Sequence, residues 1–181
     1  MLNKIKKYSV AVALVAFVLC SQTAMGGDDA ATVTINATVE AFAEWEDDAP
    51  TIATTDWDNG DTITASGQAI TASLDMTLFS NITATVTPTA GANSGILTNG
   101  SETLETSYMV TGDVTTDDVD YVAAGSEMGE FFNAGNTYEV AHVSGDGGNY
   151  SVVLGVKAVS PSDGAVDAGD YTCGVVMTAS W

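Results

Sequence analysis

The chain contains no arginine and only four lysines. Three of these, Lys4, Lys6 and Lys7, fall within the first seven residues. Beyond residue 26 the basic side chains are Lys157 and a single histidine, His142. A nucleic-acid binder sets many cations against phosphates, so this balance argues against that class. Peripheral attachment to anionic lipid is disfavoured for the same reason. Two cysteines, Cys20 and Cys173, cannot build a disulfide scaffold. One histidine and one distant cysteine fall short of the clustered ligands zinc needs. There is no P-loop, no dinucleotide fingerprint and no Gly-x-Ser-x-Gly elbow. The acids leave a paired-carboxylate site open, since sequence does not give their separation. With no other constellation in view, the chain is not expected to be an enzyme. No residue is assigned a catalytic or cofactor-binding role.

What the chain does have is acid and apolar surface. Its 181 residues suffice for one domain with a sizeable core, and 45% of them are hydrophobic, which argues against disorder for most of the chain. The 24 acids all lie beyond residue 26. Residues 1–7 are basic, residues 8–20 form a short apolar run, and Ala24 and Gly26 place small side chains at a cleavage site. Together these predict a secretory signal peptide over residues 1–26, and hence an extracellular or cell-surface protein that meets a membrane only in transit. The mature chain would carry one lysine against 24 acids, a net charge near −23. Cys173 would then be its lone thiol, buried or paired between chains.

Periodicity over the rest is two, not 3.6. Apolar residues alternate with polar ones at Val33, Ile35, Ala37, Val39 and Ala41. They do so again at Ile70, Ala72, Leu74, Met76 and Leu78, and at Ile82, Ala84 and Val86. Leu104, Tyr108 and Val110 share a parity, as do Tyr150, Val152, Leu154, Val156 and Ala158. The last such run is Tyr171, Cys173, Val175, Met177, Ala179 and Trp181. Turn signals such as Asp58-Asn59-Gly60-Asp61, Asn99-Gly100 and Gly145-Asp146-Gly147-Gly148 separate the runs. This predicts an all-β fold: a single antiparallel sandwich of about seven to nine strands spanning residues 44–181. Residues 112–136 read as a long loop with a short strand near Tyr121 and Val122. His142 reads as a partly buried sheet histidine and Cys173 as an inward-facing thiol.

Two acidic turns are candidate Ca²⁺ sites, because hard oxygen ligands suit that ion. One offers Asp56, Asp58 and Asp61, the other Asp117, Asp118 and Asp120. Neither follows the EF-hand pattern, and the competing expectation is a solvated charged turn. Trp57 beside the first turn is a candidate sugar-stacking residue or a rim residue of the core. Four Asn-x-Ser/Thr sequons begin at Asn36, Asn81, Asn99 and Asn149, and a chain this rich in Ser and Thr produces them by chance.

Residues 27–43 form a candidate donor strand. An extended segment with one apolar parity can pair with the open edge of a neighbour's sheet and insert alternate side chains into its groove. The other option is that this segment is the first strand of its own sandwich. The run Val33-Thr34-Ile35-Asn36-Ala37-Thr38-Val39-Glu40 resembles the start of mature pilins of the alternate chaperone–usher, colonisation-factor type. The run Val166-Asp167-Ala168-Gly169-Asp170-Tyr171-Thr172-Cys173-Gly174-Val175-Val176-Met177-Thr178 is similar to the close of those pilins and of spore coat U-like secreted domains. The resemblance covers about 20 residues at the two ends. It implies an incomplete immunoglobulin-like sandwich completed by the next subunit's N-terminal strand, with Val33, Ile35, Ala37 and Val39 as donor side chains. It also implies a homopolymer as partner, with an assembly chaperone and usher. The expectation is thus a structural subunit of a surface fibre (pilus- or fimbria-like). The alternative is a secreted glycan-binding module, with or without Ca²⁺. A weaker third reading treats the acidity as adaptation to salt.

Overall fold

The computed structural model describes residues 34, 36–47, 49–52, 57–58, 63–162 and 166–181. The chain divides between Glu40 and Ala41. Before that point the described residues, Thr34 and 36–40, form no strand and are exposed. Among its described residues, the unit Ala41–Trp181 contains eight strands: β1 (Ala43–Trp45), β2 (Ala69–Ser80), β3 (Ala84–Ala90), β4 (Glu105–Gly112), β5 (Val122–Ala123), β6 (Tyr138–Val140), β7 (Asn149–Val159) and β8 (Val175–Ser180). One sheet runs β1-β2-β7-β4-β5 and the other β6-β3-β8. Every ladder is antiparallel. The protein is an all-β sandwich, as the alternation predicts, and the strand number falls within the expected range.

The period-two pattern orients side chains within the strands, whereas Ile82, expected to share the parity of Ala84 and Val86, precedes β3 and is exposed. Ile70, Ala72 and Leu78 of β2 and Tyr108 and Val110 of β4 face inward, as do Tyr150, Val152, Leu154, Val156 and Ala158 of β7. Ala84 and Val86 of β3, with Tyr138 and Val140 of β6, close the core from the second sheet. The partners alternate outward: Asp75 and Glu139 are exposed. Register is consistent with this, because a slip of one residue would turn every apolar side chain of a strand to water. Long β2 and β7 pair from Ala69↔Val159 to Phe79↔Asn149 and form the spine of the larger sheet. Pro88 sits inside β3, opposite Met177. It is tolerated there because β6 covers only Ala84–Val86 of β3, so no ladder bond on that side requires its missing N–H.

The irregular stretch 112–136 contains β5 and, less expectedly, part of the core. Phe131 is fully buried and Phe132 nearly so. Their rings pack on each other at 5.2 Å and on Tyr108 at 5.1 and 5.4 Å. The Tyr108 hydroxyl donates to the Gly95 carbonyl at 2.6 Å and lies 3.1 Å from Cys173 Sγ. Gly95 has φ +71, and a Cβ there would run into the Phe132 ring, so this turn needs glycine. The aromatic trio therefore ties the long loop, β4 and the approach to β8 together.

Candidate functional site

Among the described residues, the sandwich has an incompletely covered seam between its two sheets. β1 pairs with β2 only from Ala43↔Ser80 to Trp45↔Leu78. One further bond, Glu46 N–H to the Thr77 carbonyl at 2.9 Å, continues that register. The chain then peels away, and Pro50, without an N–H, could not extend the ladder. An open cleft of about 620 Å³ separates this departing segment from Leu74, Asp75 and Met76 of β2.

Across the seam lies β8. Among the described residues, it pairs with β3 on one side and with no strand on the other. Main-chain groups alternate in direction along an antiparallel strand. The carbonyl of Met177 accepts the Trp45 indole N–H at 3.0 Å from the far side. Val175, Met177 and Ala179 therefore turn their main-chain groups to the unpaired edge. Their side chains, with those of Trp45, Ile52, Trp57 and Met76, pack on the core but are only half-buried. The core is sealed at its β4–β7 centre and incompletely covered along this seam. Trp57 is thus a core-rim residue.

The proposed donor residues divide in two. Val33 and Ile35 lie outside the described residues. Ala37 and Val39 are described, stand in no strand and are exposed, Val39 at 78%. Ala43, the last residue of the candidate donor segment, opens β1 and is buried.

The acidic turns do different work from one another. Asp56 and Asp61 lie outside the described residues. Asp58 grips β2: its N–H donates to the Thr71 carbonyl at 2.7 Å, and its Oδ2 accepts the Thr71 hydroxyl at 2.9 Å. Asp118 grips β4 likewise. Its N–H donates to the Val110 carbonyl at 2.9 Å, while its Oδ2 accepts the Val110 N–H at 2.8 Å and the Tyr138 hydroxyl at 2.7 Å. Asp113, which the sequence did not single out, holds both main-chain groups of Ser151 at 2.7 and 2.8 Å. Each aspartate thus occupies main-chain or hydroxyl groups beside a strand: Asp113 prolongs the β4–β7 ladder by one residue, and Asp118 takes up the Val110 N–H beyond the short β5. Asp117 is exposed and Asp120 accepts its neighbour Tyr121 N–H at 2.8 Å. Among the described residues no three His, Cys, Asp or Glu side chains converge as a metal site.

His142 is partly buried just past the end of β6, with Nδ1 2.8 Å from the Tyr150 hydroxyl. That hydroxyl donates to Asp146 at 2.9 Å and accepts the Val143 N–H at 3.1 Å. If the hydroxyl proton goes to Asp146, Nδ1 must donate, which fixes the tautomer of a neutral His142. Cys173 is half-buried, and burial pushes its thiol up, partly offset by the Tyr108 hydroxyl.

Burial, aided by the Asp118 carboxylate, raises the Tyr138 phenol well above its ordinary value. Burial, aided by Cys173, does the same for Tyr108. A raised folded-state value means that the folded protein favours the neutral phenol. The resulting stabilisation is fully present below about pH 10, the ordinary tyrosine value, and is lost as pH rises towards the folded-state values. The fold is therefore expected to fail in alkali, with tyrosinate absorbance rising together with the loss of circular dichroism. Ionisation of these two phenols at about pH 10 in an intact fold would contradict their burial.

Compared with known proteins, the chain matches no family model, no curated protein and no solved structure.

Proposed function

We propose that the protein is an exported structural subunit of a surface fibre. Copies join non-covalently when the N-terminal segment of one, presenting Val33, Ile35, Ala37 and Val39, adds as a strand along the unpaired edge of β8 in the next. The observation that carries this reading is the seam. It combines outward main-chain groups at Val175, Met177 and Ala179 with a row of apolar side chains left half-buried. An added strand would satisfy the first by hydrogen bonding and cover the second by inserting alternate side chains. That residues 36–40 form no strand in their own sandwich supports a role in another copy. The resemblance of the two chain ends to chaperone–usher pilins points the same way.

The mature chain lacking residues 27–40 tests this. The deletion stops short of Ala43, which β1 needs. Under the electron microscope the intact mature protein is expected to form filaments and the shortened one to remain as single particles. Filaments of the same appearance from both would overturn the proposal.

A further inference from the structure

Resting on that strand-addition reading, we infer that Trp45 is a built-in placeholder for the incoming strand, and so regulates when the edge becomes available. The bond from its indole N–H to the Met177 carbonyl is 3.0 Å long and joins residues from opposite sheets. Met177 lies in the middle of β8, and its carbonyl points to the unpaired edge, where an added strand would place a main-chain N–H. The indole supplies a donor to that same acceptor.

The location of Trp45 suits the part. It ends β1, the three-residue strand beyond which the chain leaves β2, and Ala43 and Trp45 share the inward parity. The ring packs on the core yet remains half-buried, beside the cleft bounded by Leu74 and Met76. An unpaired edge is a hazard for indiscriminate pairing. A side chain that donates to the central carbonyl and covers adjacent apolar surface blunts that hazard in the single subunit. A strand entering along β8 must break the indole bond and move the ring aside. Insertion is therefore a competition for one acceptor, which the strand wins only by making several main-chain bonds at once.

The probe is a fluorescein-labelled synthetic peptide of residues 31–41, added to the dilute full mature chain and followed by anisotropy. Trp45→Phe keeps most of the ring area and deletes the indole N–H. It is expected to capture the peptide about tenfold faster than the parent, the scale of one lost hydrogen bond. Trp181→Phe, at an exposed position, is expected to leave the rate unchanged. If Trp45→Phe and the parent capture the peptide at the same rate, Trp45 is only a strap between the sheets and the placeholder idea is wrong. If neither captures it, strand addition itself fails. If Trp45→Phe does not fold, a second measurement decides: in a Trp57→Phe, Trp181→Phe chain, Trp45 is the only indole of the mature protein. Its emission is expected to shift to the red as bound peptide pushes it from the seam into water. Unchanged emission with the peptide bound would overturn the inference.

Discussion

Phe131→Ala is expected to cost the fold about 3–5 kcal/mol, the range for truncating a fully buried phenylalanine. The ring is completely inaccessible and touches both Tyr108 and Phe132. Two contributions add: the apolar surface lost, and the cavity left because its neighbours cannot close on it. Tyr108 is held by the Gly95 carbonyl and Cys173, and Phe132 is wedged against Gly95, so neither ring is free to fill the space. Against a total stability of about 5–15 kcal/mol for a domain, this removes a large share. The effect also bears on the seam, since Cys173 leads directly into β8. A urea titration checks it: the midpoint falls while the slope, which tracks surface exposed on unfolding, stays the same. Phe131→Leu, closer in volume, is expected to lose less. A loss under about 1 kcal/mol for the alanine variant would place Phe131 outside the core, since surface changes are of that size or smaller.

Asp118→Ala is expected to destabilise by about 2 kcal/mol, and the sign is the informative part. Two physical effects oppose each other. The carboxylate accepts from the Val110 N–H and the Tyr138 hydroxyl, and its removal orphans both partly buried donors, at about 1–3 kcal/mol each when fully dry. The same substitution removes one negative charge from a chain of formal net charge −20, which relieves repulsion. The bonds are expected to win because they are short and local, whereas repulsion among dispersed surface charges is screened within about 8 Å at physiological salt. Asp118→Asn lowers the charge equally but keeps an acceptor oxygen, so its loss is expected to be smaller. Urea midpoints in low and high salt separate the terms. A midpoint that rises in low salt for Asp118→Ala would mean that repulsion dominates and the clamp on β4 contributes little.

The runs at 70–78, 104–110 and 150–158 were legible as strands because sheet geometry sends alternate side chains to opposite faces, and the core then demands one parity. Phe131 and Phe132 were not legible as core, since two adjacent residues cannot both face inward on a regular strand. They do so here because the chain turns at that point and packs onto Tyr108 and Gly95. Asp118 shows the reverse: in an acidic run it reads as a candidate cation ligand, and only the fold shows that its oxygen accepts the Val110 N–H. Only the register of β4 and the shortness of β5 leave that N–H needing a partner.

The sequence by itself determined the fold class, the inward parity of each long strand and the acidity of everything after residue 26. These depend on local periodicity and on composition, which need no knowledge of distant neighbours. Tertiary structure decided which edges stay unpaired, which acids bind main chain and where Trp45 points. Trp45 and Met177 are 132 residues apart in the chain. No local pattern encodes a bond between the last residue of one short strand and the carbonyl of another in the facing sheet. Scarcity of positive charge is a matter of composition, whereas the half-buried seam between β1 and β8 exists only in the folded chain.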